Sequence, residues 1–268
     1  MTRPVRVAEI NWTEYDRRVR EEQPVVILPV GSLEQHGPHL PMNCDAVIPT
    51  ALAERVAART GDLVAPTFCY GYKSQPKSGG GNHFPGTASL DGETLIRMTR
   101  DIVCEFARHG VRRMAVVDGH YENNMFLVEG IDLALRGLRR DGVHDMRIAK
   151  IPYWEYVTQE TIDAAWPGGF PGWPLEHAGL METSVMLHLH PALVDMTQAP
   201  DHPPADFPLY DIYPTDTSRV PWTGALSPSV AATAEKGERF VADYVGGMTN
   251  AIIEIFGTRG RDLDVAAE

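Results

Sequence analysis

One stretch near the N-terminus, GSLEQHGPHLPMNCD, carries several ionisable side chains directly after an apolar run. Glu34 and His36 are two residues apart, and such residues point to the same side of an extended backbone. Asp45 follows and adds a carboxylate whose two oxygens can bridge a pair of metal ions. The stretch is therefore either an ordinary polar loop or one half of a metal site.

A second pair of the same kind occurs in GHYENN, where His120 and Glu122 follow the apolar run MAVVD. In open parallel sheets, ligands bind at the carboxyl ends of the strands. One such pair is a weak signal because many loops contain these residues, but two pairs at two strand ends predict a metal site. Mixed imidazole and carboxylate ligands suit Zn²⁺ or Mn²⁺ and leave coordination positions open for water.

A third stretch, GWPLEHAGLMETS, places Glu176 and His177 close to Glu182. A histidine beside a carboxylate in a cleft is a candidate general acid or base. The alternative is the start of a helix in which these polar side chains only favour the helix terminus. Trp154 and Trp173 are either an aromatic cover for the site or part of the hydrophobic core.

The segment KSGGGNHFPGT is rich in glycine but is not a phosphate-binding P-loop, because no Gly-Lys-Ser/Thr ends it. We interpret it as a loop whose backbone approaches another part of the molecule closely. Ser78 in this loop has a hydroxyl group that can bind a ligand, although a surface serine is the simpler interpretation.

Apolar strands alternate with amphipathic helices along the chain, which predicts an α/β fold with a mainly parallel sheet covered by helices on both faces. We predict strands over 24–31, 62–68, 111–119 and 146–154, and helices over 48–61, 91–110, 123–142 and 232–257. The Pro-, Asp- and Tyr-rich region from about 199 to 230 is predicted to cross the surface or to enter a subunit interface. We expect one domain over 1–258 and a disordered tail over 259–268.

Composition excludes several classes of partner. The 268 residues include 24 basic and 36 acidic side chains, a net charge of −12, and no basic stripe that would bind nucleic acid. No apolar stretch approaches the ~20 residues that span a bilayer. Three cysteines form neither a disulfide framework nor a zinc-ribbon pattern, so we expect a cytoplasmic protein without a membrane or nucleic-acid partner.

Five segments together resemble the creatininase family: LPVGSLEQHGPHLPMNCD, YGYKSQPKSGGGNHFPGTASLDG, GHYENN, VEGIDLALR and HAGLMETS. The resemblance implies a three-layer α/β/α fold, assembly as a homohexamer, and reversible hydrolysis of the cyclic amide creatinine to creatine by a metal-bridging hydroxide. It also implies a binuclear centre. One ion, commonly Mn²⁺, would be bound by Glu34, Asp45 and His120, and a second, usually Zn²⁺, by His36, Asp45 and Glu122.

The resemblance further implies which residues surround the small-molecule substrate. His177 would move protons, together with Glu122. The remaining substrate contacts would come from Ser78, Tyr121, Trp154, Trp173 and Glu176.

One position departs from the pattern of the family. Pro174 stands where the family pattern has an aspartate, which removes a carboxylate and a backbone N–H group from the substrate contacts. The alternative substrate is therefore a different small cyclic amide, a lactam or a formamide. An alternative of another class is a metal-binding module without catalytic activity.

Overall fold

The computed structural model describes residues 3–257, so the tail predicted over 259–268 lies outside the described residues. Four parallel strands form one sheet in the order β2-β1-β3-β4. The strands are β1 (Val26–Val30), β2 (Leu63–Val64), β3 (Arg113–Asp118) and β4 (Arg147–Pro152). The apolar runs that predicted these strands lie at the centre of the molecule, where a parallel sheet is covered on both faces.

Seven α-helices occur in the described part of the chain. They are α1 (Trp12–Arg17), α2 (Cys44–Thr60), α3 (Gly92–Arg108), α4 (Asn124–Arg140), α5 (Gln159–Ala165), α6 (Leu180–Leu189) and α7 (Ala234–Phe256). No helix among the described residues is both long enough and apolar enough to cross a bilayer.

The helices form one layer on each face of the sheet. Because side chains alternate along a strand, Ile27 packs in a core cluster with residues of α2, α6 and α7. Its neighbours Val26 and Leu28 point the other way and pack in a second cluster with residues of α3 and α4. The predicted three-layer α/β/α architecture is confirmed.

Several predicted boundaries differ from the structure. The strand predicted over 62–68 is regular only at Leu63–Val64, although Phe68 still donates a backbone hydrogen bond to the Pro29 carbonyl. Helix α2 begins at Cys44, ahead of the predicted start, and contains Pro49. Asp91 lies at the N-cap of α3, but its side chain caps no helical N–H and pairs with Lys73.

The carboxyl ends of β1 and β3 lie side by side. Val30 is in register with Asp118, and Gly119 donates a backbone hydrogen bond to the Val30 carbonyl. The two motifs that follow these strands therefore leave the sheet at the same edge, as their positions in the sequence predicted.

The region from 199 to 230 contains no α-helix or sheet strand. It returns to the core where Leu226 donates a backbone hydrogen bond to the His177 carbonyl, and its two ends are joined because Ser229 donates to the Pro200 carbonyl. This segment, the 199–230 excursion, therefore connects a large exposed surface to the segment that precedes α6.

The packing of α6 against α7 depends on Gly237, and this dependence is testable. A Cβ atom at Gly237 would overlap the carbonyl oxygen of Ser184, whereas a Cβ at Gly246 in the same helix meets no atom within 4 Å. We expect Gly237→Ala to lower the free energy of unfolding by about 1–3 kcal/mol. Gly246→Ala should raise it by about 0.5–1 kcal/mol because helical glycine is costly.

Urea unfolding monitored by circular dichroism measures both changes. Equal stability of the two variants would contradict the close packing of α6 against α7.

Candidate metal centre

Asp45 lies at the start of α2, close to the ends of both strands. A Cβ atom at Gly31 or at Gly119 would overlap the carbonyl oxygen of Asp45, so glycine at both positions allows the helix to approach the sheet edge. Asp45 also lies in the first turn of α2, where the helix dipole favours a negative charge. The two strand-end glycines are therefore part of what positions this carboxylate.

Two histidines face the two oxygens of Asp45. His36 Nε2 lies 3.0 Å from Asp45 Oδ1, and His120 Nδ1 lies 3.1 Å from Asp45 Oδ2. Glu34 Oε2 is also 3.1 Å from His120 Nδ1, and Glu182 Oε2 is 3.7 Å from His36 Nε2. All five side chains are almost fully buried.

The structure thus gathers two sets of three residues that share Asp45: Glu34, Asp45 and His120, and His36, Asp45 and Glu182. A third set of mutually close groups consists of Glu34, His36 and His177.

In each imidazole ring, the contact made by the nitrogen that faces away from the carboxylates shows which nitrogen carries the hydrogen. His120 Nε2 lies 2.9 Å from the Tyr72 carbonyl oxygen, and His36 Nδ1 lies 3.1 Å from the Glu34 carbonyl oxygen. A carbonyl only accepts hydrogen bonds, so these nitrogens are the donors. In the neutral rings, His120 Nδ1 and His36 Nε2 then direct lone pairs at carboxylates, an arrangement that requires a positive charge between them.

The pKa values of these groups reflect the same requirement. Burial lowers the pKa of His36, but the charges of Asp45, Cys44 and Glu182 outweigh it and raise that pKa well above its usual value. Burial also opposes protonation of His120, whose pKa is raised by Glu122 and Glu34.

The carboxylates of the cluster shift in opposite directions. Burial raises the pKa of Glu34 to about 8, despite the nearby charge of His120. Burial has the same effect on Asp45, but the two histidines outweigh it and lower its pKa.

The donor set fits divalent metal ions. Glu34 Oε1, His36 Nε2 and Asp45 Oδ2 are buried and have no hydrogen-bond partner. Metal-binding histidines in proteins usually donate their other N–H to a carbonyl or carboxylate, as His36 and His120 do here. Unpartnered oxygen and nitrogen atoms around a shared carboxylate are what a binuclear site with N and O ligands requires.

Glu122 occupies a different place from the one that the resemblance implies. The resemblance groups Glu122 with His36 and Asp45, but in the structure its Oε2 lies 3.4 Å from His120 Nε2. Its Oε1 accepts hydrogen bonds from Ser78 Oγ at 2.6 Å and from the Gln75 backbone N at 3.1 Å. The structure therefore brings Glu122 to the His120 side of the cluster, and Glu182 is the carboxylate beside His36.

A cavity adjoins the cluster. Six of the residues predicted to surround a substrate line it: Ser78, Tyr121, Trp154, Trp173, Glu176 and His177. Trp154 is 9% exposed and packs near Tyr121, with ring centroids 6.1 Å apart, so it belongs both to the core and to the cavity wall. Pro174, the seventh predicted residue, is exposed next to Trp173 and does not line the cavity.

Burial shifts the pKa values of two ionisable groups in the cavity wall toward their neutral forms. Burial raises the pKa of Glu176 well above its usual value, and the charge of Glu182 adds to this effect. Burial lowers the pKa of His177 well below its usual value, and the nearby His36 adds to that shift. The cavity wall therefore disfavours the charged form of each of these two groups.

The sequence alone assigns no role to Gln35 and no metal-ligand role to Glu182. Gln35 lies between two predicted ligands, and its amide contacts His177, which is 142 residues away in the chain. Glu182 was noted only as a neighbour of His177. Its distance from His36 depends on where α6 packs, and no local pattern in the sequence reports that.

Comparisons with known proteins identify the family of the chain. The creatininase family model, described as creatinine amidohydrolase, matches residues 8–252. The creatinine amidohydrolase of Pseudomonas putida is 52% identical over 257 residues, which cover 96% of this chain and 99% of that protein. A mycofactocin precursor peptide peptidase of Mycobacterium tuberculosis (strain ATCC 25618 / H37Rv) is 33% identical over 242 residues, covering 83% and 82%.

The same likeness holds in three dimensions. A solved structure named Creatininase Mn superposes with a TM-score of 0.93 at 52% identity and covers 95% of this chain and 99% of that one. With a family model over most of its length and these relatives, the chain belongs to the creatininase family.

Proposed function

We propose that this protein is a metal-dependent hydrolase that opens a cyclic amide, and that its reaction is the reversible hydrolysis of creatinine to creatine. The observation that carries the proposal is the pair of histidine nitrogens that face the two oxygens of the buried Asp45 carboxylate. The similarity to the creatinine amidohydrolase of Pseudomonas putida supports the choice of substrate.

Two divalent ions would be bound by the two residue sets that share Asp45. We assign Glu34, Asp45 and His120 to one ion, and His36, Asp45 and Glu182 to the other. Zn²⁺ and Mn²⁺ suit these nitrogen and oxygen ligands, and Mn is named in one of the similar solved structures. When bound, such ions polarise a substrate carbonyl and lower the pKa of water.

The protein's own groups perform the remaining tasks. Glu122 carries a proton from the attacking water to the ring nitrogen that leaves, and His177 assists this transfer as a hydrogen-bonding group in the cavity wall. The Ser78 hydroxyl donates to Glu122 Oε1 and so holds this carboxylate in place. Glu176 Oε1 is buried without a hydrogen-bond partner and belongs to a residue that lines the cavity, so it is available to bind a polar group of the substrate.

The aromatic side chains form the wall of the cavity. Trp154, Trp173 and Tyr121 lie around the polar groups, where they exclude water from the substrate. A flat, small ring such as creatinine matches this combination of aromatic walls and few polar groups.

A second candidate is a different small amide, such as another cyclic amide, a lactam or a formamide. Pro174 supports this second candidate, because this residue adds no carboxylate to the cavity. A relative that is 33% identical is named as a peptidase, a hydrolase of a different amide bond, which also supports this second candidate.

Assembly and location belong to the same proposal. We expect a homohexamer in the cytoplasm, on the basis of the family resemblance and of three cysteines that are all unpaired. Gel filtration with light scattering tests the assembly.

The shared carboxylate provides the first test of the function. Asp45→Asn removes a charge that both histidines face. The affinity for each ion should therefore fall by more than the roughly 10–100-fold that is usual when a residue outside the coordination shell is changed. Metal content after dialysis, measured by plasma mass spectrometry, checks this. Glu54→Gln, a partly exposed carboxylate on the same helix, is the control and should keep wild-type metal content.

Retention of two tightly bound ions by the Asp45→Asn variant would contradict the shared-ligand assignment.

The substrate is tested by turnover of creatinine after reconstitution with Mn²⁺ and Zn²⁺. Wild-type protein should convert creatinine to creatine and catalyse the reverse reaction. Pro174→Asp should change kcat/KM for creatinine by no more than about twofold, because Pro174 is exposed and does not line the cavity. Trp173→Ala removes part of the cavity wall and is the contrasting variant, which should lower kcat/KM.

The metal-loaded wild-type protein is also tested on a lactam, a formamide and another cyclic amide. Hydrolysis of one of these without hydrolysis of creatinine would favour the second candidate over creatinine.

A further inference from the structure

The side-chain amide of Gln35 is buried at the centre of four chain segments. Its Oε1 accepts a hydrogen bond from the Gly37 backbone N at 2.9 Å. Its Nε2 lies 3.0 Å from the Gly79 carbonyl oxygen, 3.1 Å from the Gly224 carbonyl oxygen and 2.9 Å from His177 Nε2. The amide thus joins the loop after β1, the glycine-rich loop, the 199–230 excursion and His177.

These partners leave the amide only one orientation. The backbone N of Gly37 can only donate, and the carbonyls of Gly79 and Gly224 can only accept. The NH₂ group of Gln35 must therefore be the end that faces His177. Its two hydrogens are shared among three neighbouring acceptors, and its nitrogen cannot accept a hydrogen bond. An N–H on His177 Nε2 would have no acceptor there, so Nε2 carries the lone pair and the ring N–H is on Nδ1.

Glycines surround this amide on two sides. A Cβ atom at Gly224 would overlap Gln35 Oε1, and a Cβ at Gly80 would lie 2.7 Å from Gln35 Nε2. Both glycines have positive φ values, +80° and +77°. The glycine-rich loop and the excursion therefore both approach the site closely enough to enclose the Gln35 amide, which accounts for the glycines that no phosphate-binding motif explains.

The Nδ1 atom of His177 faces the metal cluster. It lies 4.0 Å from Glu34 Oε2, and the His177 ring lies beside the His36 ring with centroids 4.4 Å apart. By proximity alone, His177 joins Glu34 and His36 as a third possible metal-binding set. An Nδ1 that carries hydrogen has no lone pair for a metal ion, so the tautomer decides whether His177 is a ligand.

We propose that Gln35 is a positioning residue that holds His177 as the Nδ1–H tautomer. This keeps His177 out of the metal coordination shell and makes it a neutral hydrogen-bond donor in the cavity. The consequence of this tautomer for catalysis rests on the proposed function. Since His177 Nε2 is occupied by Gln35, the Glu122 carboxylate takes the proton from water and gives it to the leaving nitrogen as the C–N bond breaks.

The tautomer can be measured without substrate or metal. In metal-free protein labelled with ¹⁵N-histidine, magic-angle-spinning NMR distinguishes a protonated ring nitrogen from an unprotonated one. A His177→Gln variant assigns the signals. We expect His177 to be protonated at Nδ1 in the wild type and at Nε2 in Gln35→Glu, because a carboxylate accepts that hydrogen. Protonation at Nε2 in the wild type would overturn the proposal.

The catalytic consequence is measured with Gln35→Met, which keeps the length of the side chain but has no N–H group. We expect kcat to fall about a hundredfold, with KM within about twofold and the metal content unchanged. Gln159→Met removes a surface amide that donates to Asp163 and should leave all three quantities unchanged. Wild-type kcat in Gln35→Met would also overturn the proposal.

Failure of the proposed function gives a different result. If the wild type does not hydrolyse creatinine, the NMR measurement still tests the tautomer, since it requires neither turnover nor a bound ion.

Discussion

The buried carboxylate of Asp45 is the group on which the arrangement of the site depends. Its two oxygens face His36 and His120, which come from the ends of two neighbouring strands. The contact exists because Gly31 and Gly119 allow the first turn of α2 to reach the sheet edge. Three elements of the fold therefore meet at one charged group, and a shift in any of them changes the distance between the two histidines.

A cluster of this kind is unfavourable without positive charge. Glu34, Asp45 and Glu182 are nearly excluded from water, and burying charged groups is costly unless they are paired. Protons provide this charge when metal is absent, which is why the pKa of His36 and that of His120 are both raised. Divalent ions at the same atoms would replace those protons, so metal binding, protonation and folding would be coupled.

The sequence predicted the parts of the molecule that local patterns determine. Continuous apolar runs predicted the strands because a parallel sheet is buried on both faces, and the register of Val30 with Asp118 brings the two motifs together as expected. Glu34, His36 and His120 were expected at this edge because each follows its strand directly, and the structure gathers them around Asp45. The strand predicted over 62–68 was too long, because only two of its residues pair regularly with β1.

The contacts that sequence reasoning missed join residues far apart in the chain. Glu182 lies near His36 only because α6 packs against α7 on the same face of the sheet, an arrangement that depends on Gly237. Gln35 contacts His177 through space, with 142 residues between them in sequence. Neither interaction leaves a periodic or spacing signal, because the side chains that make it are individually ordinary.

The candidate site is divided between strands and loops. Glu34, His36, Asp45 and His120 lie at the ends of β1 and β3 and in the first turn of α2, which pack in the core. Trp173, Pro174 and the 199–230 excursion lie outside that frame, where loops tolerate substitution. Gln35 connects the two parts, since its amide bonds to Gly224 of the excursion and to His177 of the cavity. A change in the excursion can therefore alter the geometry of His177 while the metal ligands stay in place.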